Sequence, residues 1–154
     1  MTVQGESGCV FCRIARGEAP ASMVLEDDGS GVVAFMDIAP ASRGHLLVVP
    51  VRHAVTLWDL TEEEAAAIFR VARRIAGAMR ETLGFDGLNV LQSNGAAAGQ
   101  VVFHFHLHLI PRYAGGEGLA FRLRPPTYTA PERLELDAVA DRLRRALEAS
   151  STAS

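Results

Sequence analysis

The stretch Phe103-His104-Phe105-His106-Leu107-His108-Leu109-Ile110 alternates apolar side chains with histidines. In an extended chain successive side chains point to opposite faces. His104, His106 and His108 then share one face, and Phe103, Phe105, Leu107 and Leu109 share the other. The pattern predicts a half-buried strand over residues 101–110 whose apolar face packs into a core. The histidine face must look into a cleft or onto a metal, because three buried imidazoles without partners would be costly. In an ideal strand the outer two rings stand about 13 Å apart. One ion cannot hold both when Zn–N bonds are about 2.0–2.1 Å. Adjacent rings can share a metal, and at least one is left for another task.

Immediately upstream, Ser93-Asn94-Gly95-Ala96-Ala97-Ala98-Gly99-Gln100 is a glycine-containing loop that separates this strand from another over 88–92. Glycines let backbone approach a ligand, and the amides of Gln100 and Val101 are candidate phosphate donors. Further back, Thr61 followed by Glu64 matches a capping box. Behind it Ala65, Ile68, Phe69, Ala72, Ile75, Ala76, Met79 and Leu83 recur at helical spacing, with Arg70, Arg73, Arg74 and Arg80 as a solvated face. Residues 23–26 and 31–36 read as strands around the turn Asp27-Asp28-Gly29-Ser30, and 45–51 as a third. Pro125-Pro126 interrupts the chain before Leu136, Val139, Ala140, Leu143 and Leu147 mark a closing amphipathic helix. The order of strands, long helix, strands and helix predicts an α+β fold. It would be one antiparallel sheet with a long central helix and a C-terminal helix on one face.

The 154 residues suit a single domain over 1–154, with small, polar ends at 1–8 and 150–154 that should fray. A net charge of −3 gives no general attraction to nucleic acid or an anionic membrane, so an anionic substrate must be held by local geometry. No apolar run is long enough to span a bilayer, and the first residues lack the features of a signal peptide. A cytoplasmic protein is expected, in which Cys9 and Cys12 stay reduced. That C-x-x-C does not open a helix in a βαβ pattern, as a redox motif would, and a zinc site needs two further ligands from the five histidines.

Imidazole suits phosphate chemistry. When one ring N–H is donated to a fixed carbonyl, the other nitrogen presents a lone pair near neutral pH. That nitrogen can attack phosphorus, and a neighbouring histidine can bind the phosphate oxygens or protonate the leaving group.

His104-Phe105-His106-Leu107-His108-Leu109-Ile110 resembles the His-φ-His-φ-His-φ-φ signature (φ apolar) of the histidine triad (HIT) family. The likeness extends from Cys9-Val10-Phe11-Cys12 through Phe35-Met36-Asp37-Ile38, Gly44-His45 and Pro50 to Gly99-Gln100 and Pro111-Arg112. It is similar to the bacterial Hint-like or dinucleoside polyphosphate hydrolase-like branches. The resemblance implies a hydrolase or transferase acting at the α-phosphate of adenosine-type nucleotides through a covalent nucleotidyl-histidine intermediate. The nucleophile would be His106, with His108 on the phosphate and leaving group and His45 beside the same pocket. Asp37 would hold the ribose diol, flanked by Phe35 and Ile38 as walls for the base. Asn94, Gly99 and Gln100 would be phosphate-loop positions. Val101 stands where many members carry Ser or Thr, which leaves its backbone amide but removes a hydroxyl that aids the leaving group.

Bacterial relatives further imply a structural zinc, one per chain, on Cys9, Cys12, His53 and His104, tying the N-terminal segment to the sheet. The family also implies a homodimer. Four readings follow: release of nucleoside monophosphate from phosphoramidates and related conjugates, cleavage of dinucleoside polyphosphates, a nucleotide- or zinc-binding regulatory protein with little turnover, and a metalloenzyme using the histidines as catalytic ligands. The segment 111–118 and the closing helix border the triad and would select the leaving group.

Overall fold

The longest element forms where its cap dictates. In the computed structural model, which describes residues 8–115 and 131–151, Thr61 Oγ1 accepts from Glu64 N–H at 3.2 Å, and Glu64 Oε2 accepts from Thr61 N–H at 2.9 Å. This reciprocal box starts α2 (Glu62–Leu83), and Gly84 ends it in the left-handed region at φ 61°. Its buried stripe is Ala67, Ile68, Val71, Ala72, Ile75, Ala78, Met79 and Leu83. The stripe is rotated slightly from the one the spacing predicted, so Phe69 is 56% exposed. The arginine face is solvated as expected, and Arg74 pairs with Asp28 at 3.0 Å.

Among the described residues five strands, β1 (Met23–Leu25), β2 (Val32–Met36), β3 (Leu46–Pro50), β4 (Gly87–Leu91) and β5 (Leu107–Arg112), form one antiparallel sheet in the order β1-β2-β3-β5-β4. The β1–β2 turn is closed by the Asp27 carboxylate, which accepts from Gly29 N–H and Gly31 N–H. On one face Val24, Val32, Ala34, Met36, Leu46, Val48, Leu107 and Leu109 pack under α2 and α3 (Arg133–Ser151). Of the positions the periodicity marks in α3, Leu136, Ala140, Leu143 and Leu147 are buried and Val139 is half-buried against the same core. The α+β expectation therefore holds.

Two expectations change. A short helix, α1 (Val10–Ala15), covers the opposite face of the sheet, where Cys9, Phe11 and Cys12 pack with Val33, Phe35, Leu47 and Val49. The sheet is thus covered on both sides, not one. Second, the histidine strand begins at Leu107, not at 101. Pairing of β3 with β5 runs through Leu46↔Leu109, Leu47↔His108 and Val48↔Leu107. Two residues on, Pro50 has no N–H to donate, so the ladder cannot be carried further. Instead Phe105 N–H donates to Ala54 O at 2.6 Å. The alternation survives in this irregular stretch: Phe105, Leu107 and Leu109 all enter the core, and His104 and His106 point away from it.

Among the described residues no helix is long and apolar enough to cross a membrane. Pro125-Pro126, the end of the 111–118 segment, and the termini 1–7 and 152–154, on which the fraying expectation falls, lie outside the described residues.

Candidate active site

The three triad histidines do not share one environment. His104 is fully buried and its Nε2–H donates to Pro50 O at 2.9 Å. A carbonyl oxygen can only accept, so the remaining nitrogen, Nδ1, carries the lone pair. That nitrogen lies 3.3 Å from Cys9 Sγ and 3.4 Å from Cys12 Sγ. His53 Nδ1 stands 3.2 Å from Cys12 Sγ. The four ligand atoms of Cys9, Cys12, His53 and His104 all lie within 4.8 Å of one another. Donor-to-donor separations of about 3.3–3.8 Å follow from tetrahedral geometry with Zn–S about 2.3 Å and Zn–N about 2.0–2.1 Å. The donor set, its spacing and the preset His104 tautomer therefore fit zinc. Burial, the largest influence, holds His104 neutral with its pKa lowered to about 4, the protonation state a ligand needs.

His106 is 6% exposed, and its Nδ1–H donates to the backbone carbonyl of His104 at 2.7 Å. Its Nε2 is left as a lone pair by the same tautomer argument. Burial lowers its pKa, against smaller opposing effects from the His104 carbonyl and Asp37. The ring is therefore a neutral imidazole at pH 7.

His45 and His108 form a hydrogen-bonded chain. Ala41 N–H donates to His45 Nδ1 at 2.9 Å, which makes that nitrogen the acceptor and places the proton on Nε2. His45 Nε2 is 2.9 Å from His108 Nδ1 and 3.5 Å from Asp37 Oδ2, so its proton goes chiefly to His108. His108 then carries its own proton on Nε2. Its ring centroid is 4.8 Å from that of His106. Burial, chiefly, lowers His45 to about 4 and His108 to about 3.

Asp37, His45 and His108 also place three potential ligand atoms within 4.8 Å of one another. The Ala41 amide argues against a metal there. With Nδ1 of His45 accepting from a backbone donor, Nε2 holds the proton and has no lone pair to give. The two histidine clusters thus have opposite characters: one offers lone pairs to a common centre, the other passes hydrogen bonds along a line.

Asp37 serves the turn, since its Oδ1 accepts from Ala39 N–H at 2.8 Å. Phe35 is buried against Phe11, with ring centroids 5.3 Å apart, and Ile38 is 67% exposed. The loop before the triad is a single 3-10 turn, Ala96–Ala98, between Gly95 and Gly99, both at positive φ. Gln100 is used inside it. Its Oε1 accepts from Gly95 N–H, its Nε2 donates to Val55 O and Val102 O, and its own N–H donates to Gly95 O. Asn94 is likewise occupied, accepting from Leu57 N–H and donating to Gln92 Oε1. Gln100 N–H, a candidate phosphate donor from the sequence, is thus committed to closing the loop. Ala98 N–H and Gly99 N–H are committed too, whereas Val101 N–H makes no hydrogen bond to the described residues. Val101 itself is 85% exposed.

The sequence did not single out Phe11, the Ala41 amide, Pro50 O or the carbonyl of His104. The last three are backbone groups and carry no residue signal; Phe11 was visible only as part of Cys9-Val10-Phe11-Cys12.

Comparison with known proteins agrees with this arrangement. The HIT domain family matches residues 16–115. The Protein hit of Bacillus subtilis is 44% identical over 110 residues, covering 71% of this chain and 74% of that protein. The adenylylsulfatase HINT3 of Arabidopsis thaliana is 42% identical over 107 residues, covering 70% of this chain and 53% of that protein. The crystal structure of a Zn-bound histidine triad family protein from Mycobacterium smegmatis superposes with a TM-score of 0.79 at 41% identity, covering 97% of this chain and 100% of that one. With the sheet, the buried histidine chain and these matches in agreement, the chain belongs to the HIT domain family.

Proposed function

We propose that the protein hydrolyses adenosine-type nucleotides at the α-phosphate, with His106 as nucleophile. The observation that carries this reading is the 2.7 Å bond from His106 Nδ1–H to the carbonyl of His104. It leaves Nε2 as a lone pair on a neutral ring whose neighbour, His108, carries a proton on Nε2. In the first step His106 Nε2 forms a bond to phosphorus and the bond to the leaving group breaks, giving a nucleotidyl-histidine. His108 donates its hydrogen bond to the phosphate or leaving-group oxygen, with His45 behind it fixing its tautomer. Water then breaks the P–N bond and releases nucleoside monophosphate. Val101 N–H is a further donor for phosphate, and Asn94, Gly99 and Gln100 act by shaping the loop that presents it. Asp37 accepts from the ribose diol, with Phe35 and Ile38 near the base.

Val101 in place of a hydroxyl residue favours leaving groups that need no proton. The adenylylsulfatase activity named for the Arabidopsis relative is of that type, since sulfate leaves as an anion. Mononucleotide conjugates with acidic leaving groups are therefore placed first, ahead of amine conjugates. Zinc held by Cys9, Cys12, His53 and His104 would be structural, one per chain, supplying folding free energy and not a reacting centre. We also assign the active form as a cytoplasmic homodimer.

The test is stereochemical. Turnover of a substrate chiral at a phosphorothioate should proceed with net retention, because two in-line displacements succeed one another. His106→Gly should abolish turnover while nucleotide binding persists. Inversion would reduce His106 to a base or a phosphate ligand and overturn the proposal.

A further inference from the structure

The nucleophilic ring needs more than one hydrogen bond to hold it. The bond to the His104 carbonyl restrains Nδ1 but leaves the plane of the imidazole free to rock about that contact. Only two aromatic rings among the described residues pack against His106: His108, at 4.8 Å and 71°, and Phe11, at 5.3 Å and 80°. Both are edge-to-face contacts, which oppose rotation of the ring they meet. Phe11 is 8% exposed and also meets His104 edge-on at 6.0 Å and Phe35 at 5.3 Å.

Phe11 belongs to α1, and that helix has its own anchors. Cys9 and Cys12 bracket Phe11 in sequence, and their sulfurs lie 3.3 and 3.4 Å from His104 Nδ1. One residue, His104, therefore meets the α1 anchors with its ring and the nucleophile with its carbonyl. Phe11 completes the triangle from the other side. We propose that Phe11 is a positioning residue for His106: held by the anchored α1, its ring keeps the imidazole in the orientation and tautomer that present Nε2 as the lone pair. The role rests on His106 being the nucleophile, but the restraint itself exists without substrate.

Phe11→Leu keeps an apolar side chain of similar size and removes the flat ring. In ligand-free protein with ¹⁵N-labelled histidine, the wild type should show one His106 tautomer, Nδ1-protonated. The variant should show mixed or exchange-averaged signals. With a leaving group that needs no proton, kcat should fall about ten- to a hundred-fold, the scale of a misplaced reacting group, while nucleotide affinity stays within about threefold. Phe11→Tyr, which keeps the ring, should restore the single tautomer and most of kcat. A variant that loses only thermal stability, with tautomer and kcat unchanged, would overturn the proposal and leave Phe11 a packing residue. A change in KM alone would overturn it too and make Phe11 a wall of the substrate pocket. If His106 proves not to be the nucleophile, the stereochemical test fails while the tautomer result stands, so the two ideas fail separately.

Discussion

Acid should destabilise this fold through its buried histidines, and the size of the effect follows from two of them. The pKa of His45 is lowered to about 4 and that of His108 to about 3, both chiefly by burial, against an ordinary value of 6.5. Because the folded pKa values lie below the unfolded one, the unfolded chain binds more protons across the interval between them. The stability these residues contribute is complete above about pH 6.5 and is lost as pH falls toward the folded values. At pH 5.0 an unfolded histidine is almost fully protonated and its folded counterpart almost not at all. The difference is about 1.5 units at 1.36 kcal/mol each, or about 2 kcal/mol per residue. For the pair the upper figure is about 4 kcal/mol, reduced because the two rings titrate as one coupled unit. In metal-stripped protein His104, also lowered to about 4 by burial, and His106, lowered too, add in the same direction. Urea unfolding at pH 7.5 and 5.0 would measure this, on metal-stripped protein, because metal binding is itself pH-dependent. Far-UV circular dichroism is the better probe, since the single tryptophan, Trp58, is already 73% exposed in the folded state. His108→Gln should lose about half of the pair's pH dependence. If the His45→Gln/His108→Gln double variant loses as much stability between the two pH values as the wild type does, the reasoning is wrong.

Protein never exposed to chelator should contain about one zinc per chain by elemental analysis, and stripping it should lower the thermal midpoint; absence of metal would refute the assignment to Cys9, Cys12, His53 and His104. Asp37→Ala should weaken ribonucleotide binding about ten- to a hundred-fold, the scale of a hydrogen bond to a charged group, while scarcely affecting 2′,3′-dideoxy analogues; equal losses would assign Asp37 to the Ala39 turn alone. Gly44→Ala should destabilise by about 2–4 kcal/mol, because a Cβ there would lie 2.5 Å from Leu83 Cδ1 at a backbone φ of +88°. Gly77→Ala is its control: nothing lies within 4 Å of the added carbon inside α2, so chemical denaturation should show a gain of about 0.5–1 kcal/mol.

What the linear chain could tell depended on whether the signal was local. The capping box at Thr61 and Glu64 and the spacing in α3 involve neighbours a few residues apart, and the elements formed where those residues placed them. The alternation of His104, His106 and His108 with apolar residues likewise separated a core face from a polar one, even though only His108 lies within β5. The short helix α1 went unseen because six residues are too few to show a periodicity, and it is held by contacts with β2, β3 and His104. The exposed Phe69 shows the same limit, since the stripe α2 buries is chosen by the sheet beneath it.

The sequence by itself determined the α+β class, the long helix, and the set of histidines and cysteines that could carry chemistry. Which nitrogen of His45, His104, His106 and His108 bears the proton was decided only by the tertiary structure. Pro50 O turns His104 into a lone-pair donor toward the thiols, the carbonyl of His104 frees Nε2 of His106, and Ala41 N–H makes His45 a donor toward His108. Those partners are backbone groups, identical in every residue, so their influence exists only once folding has brought them within hydrogen-bond distance of a particular ring.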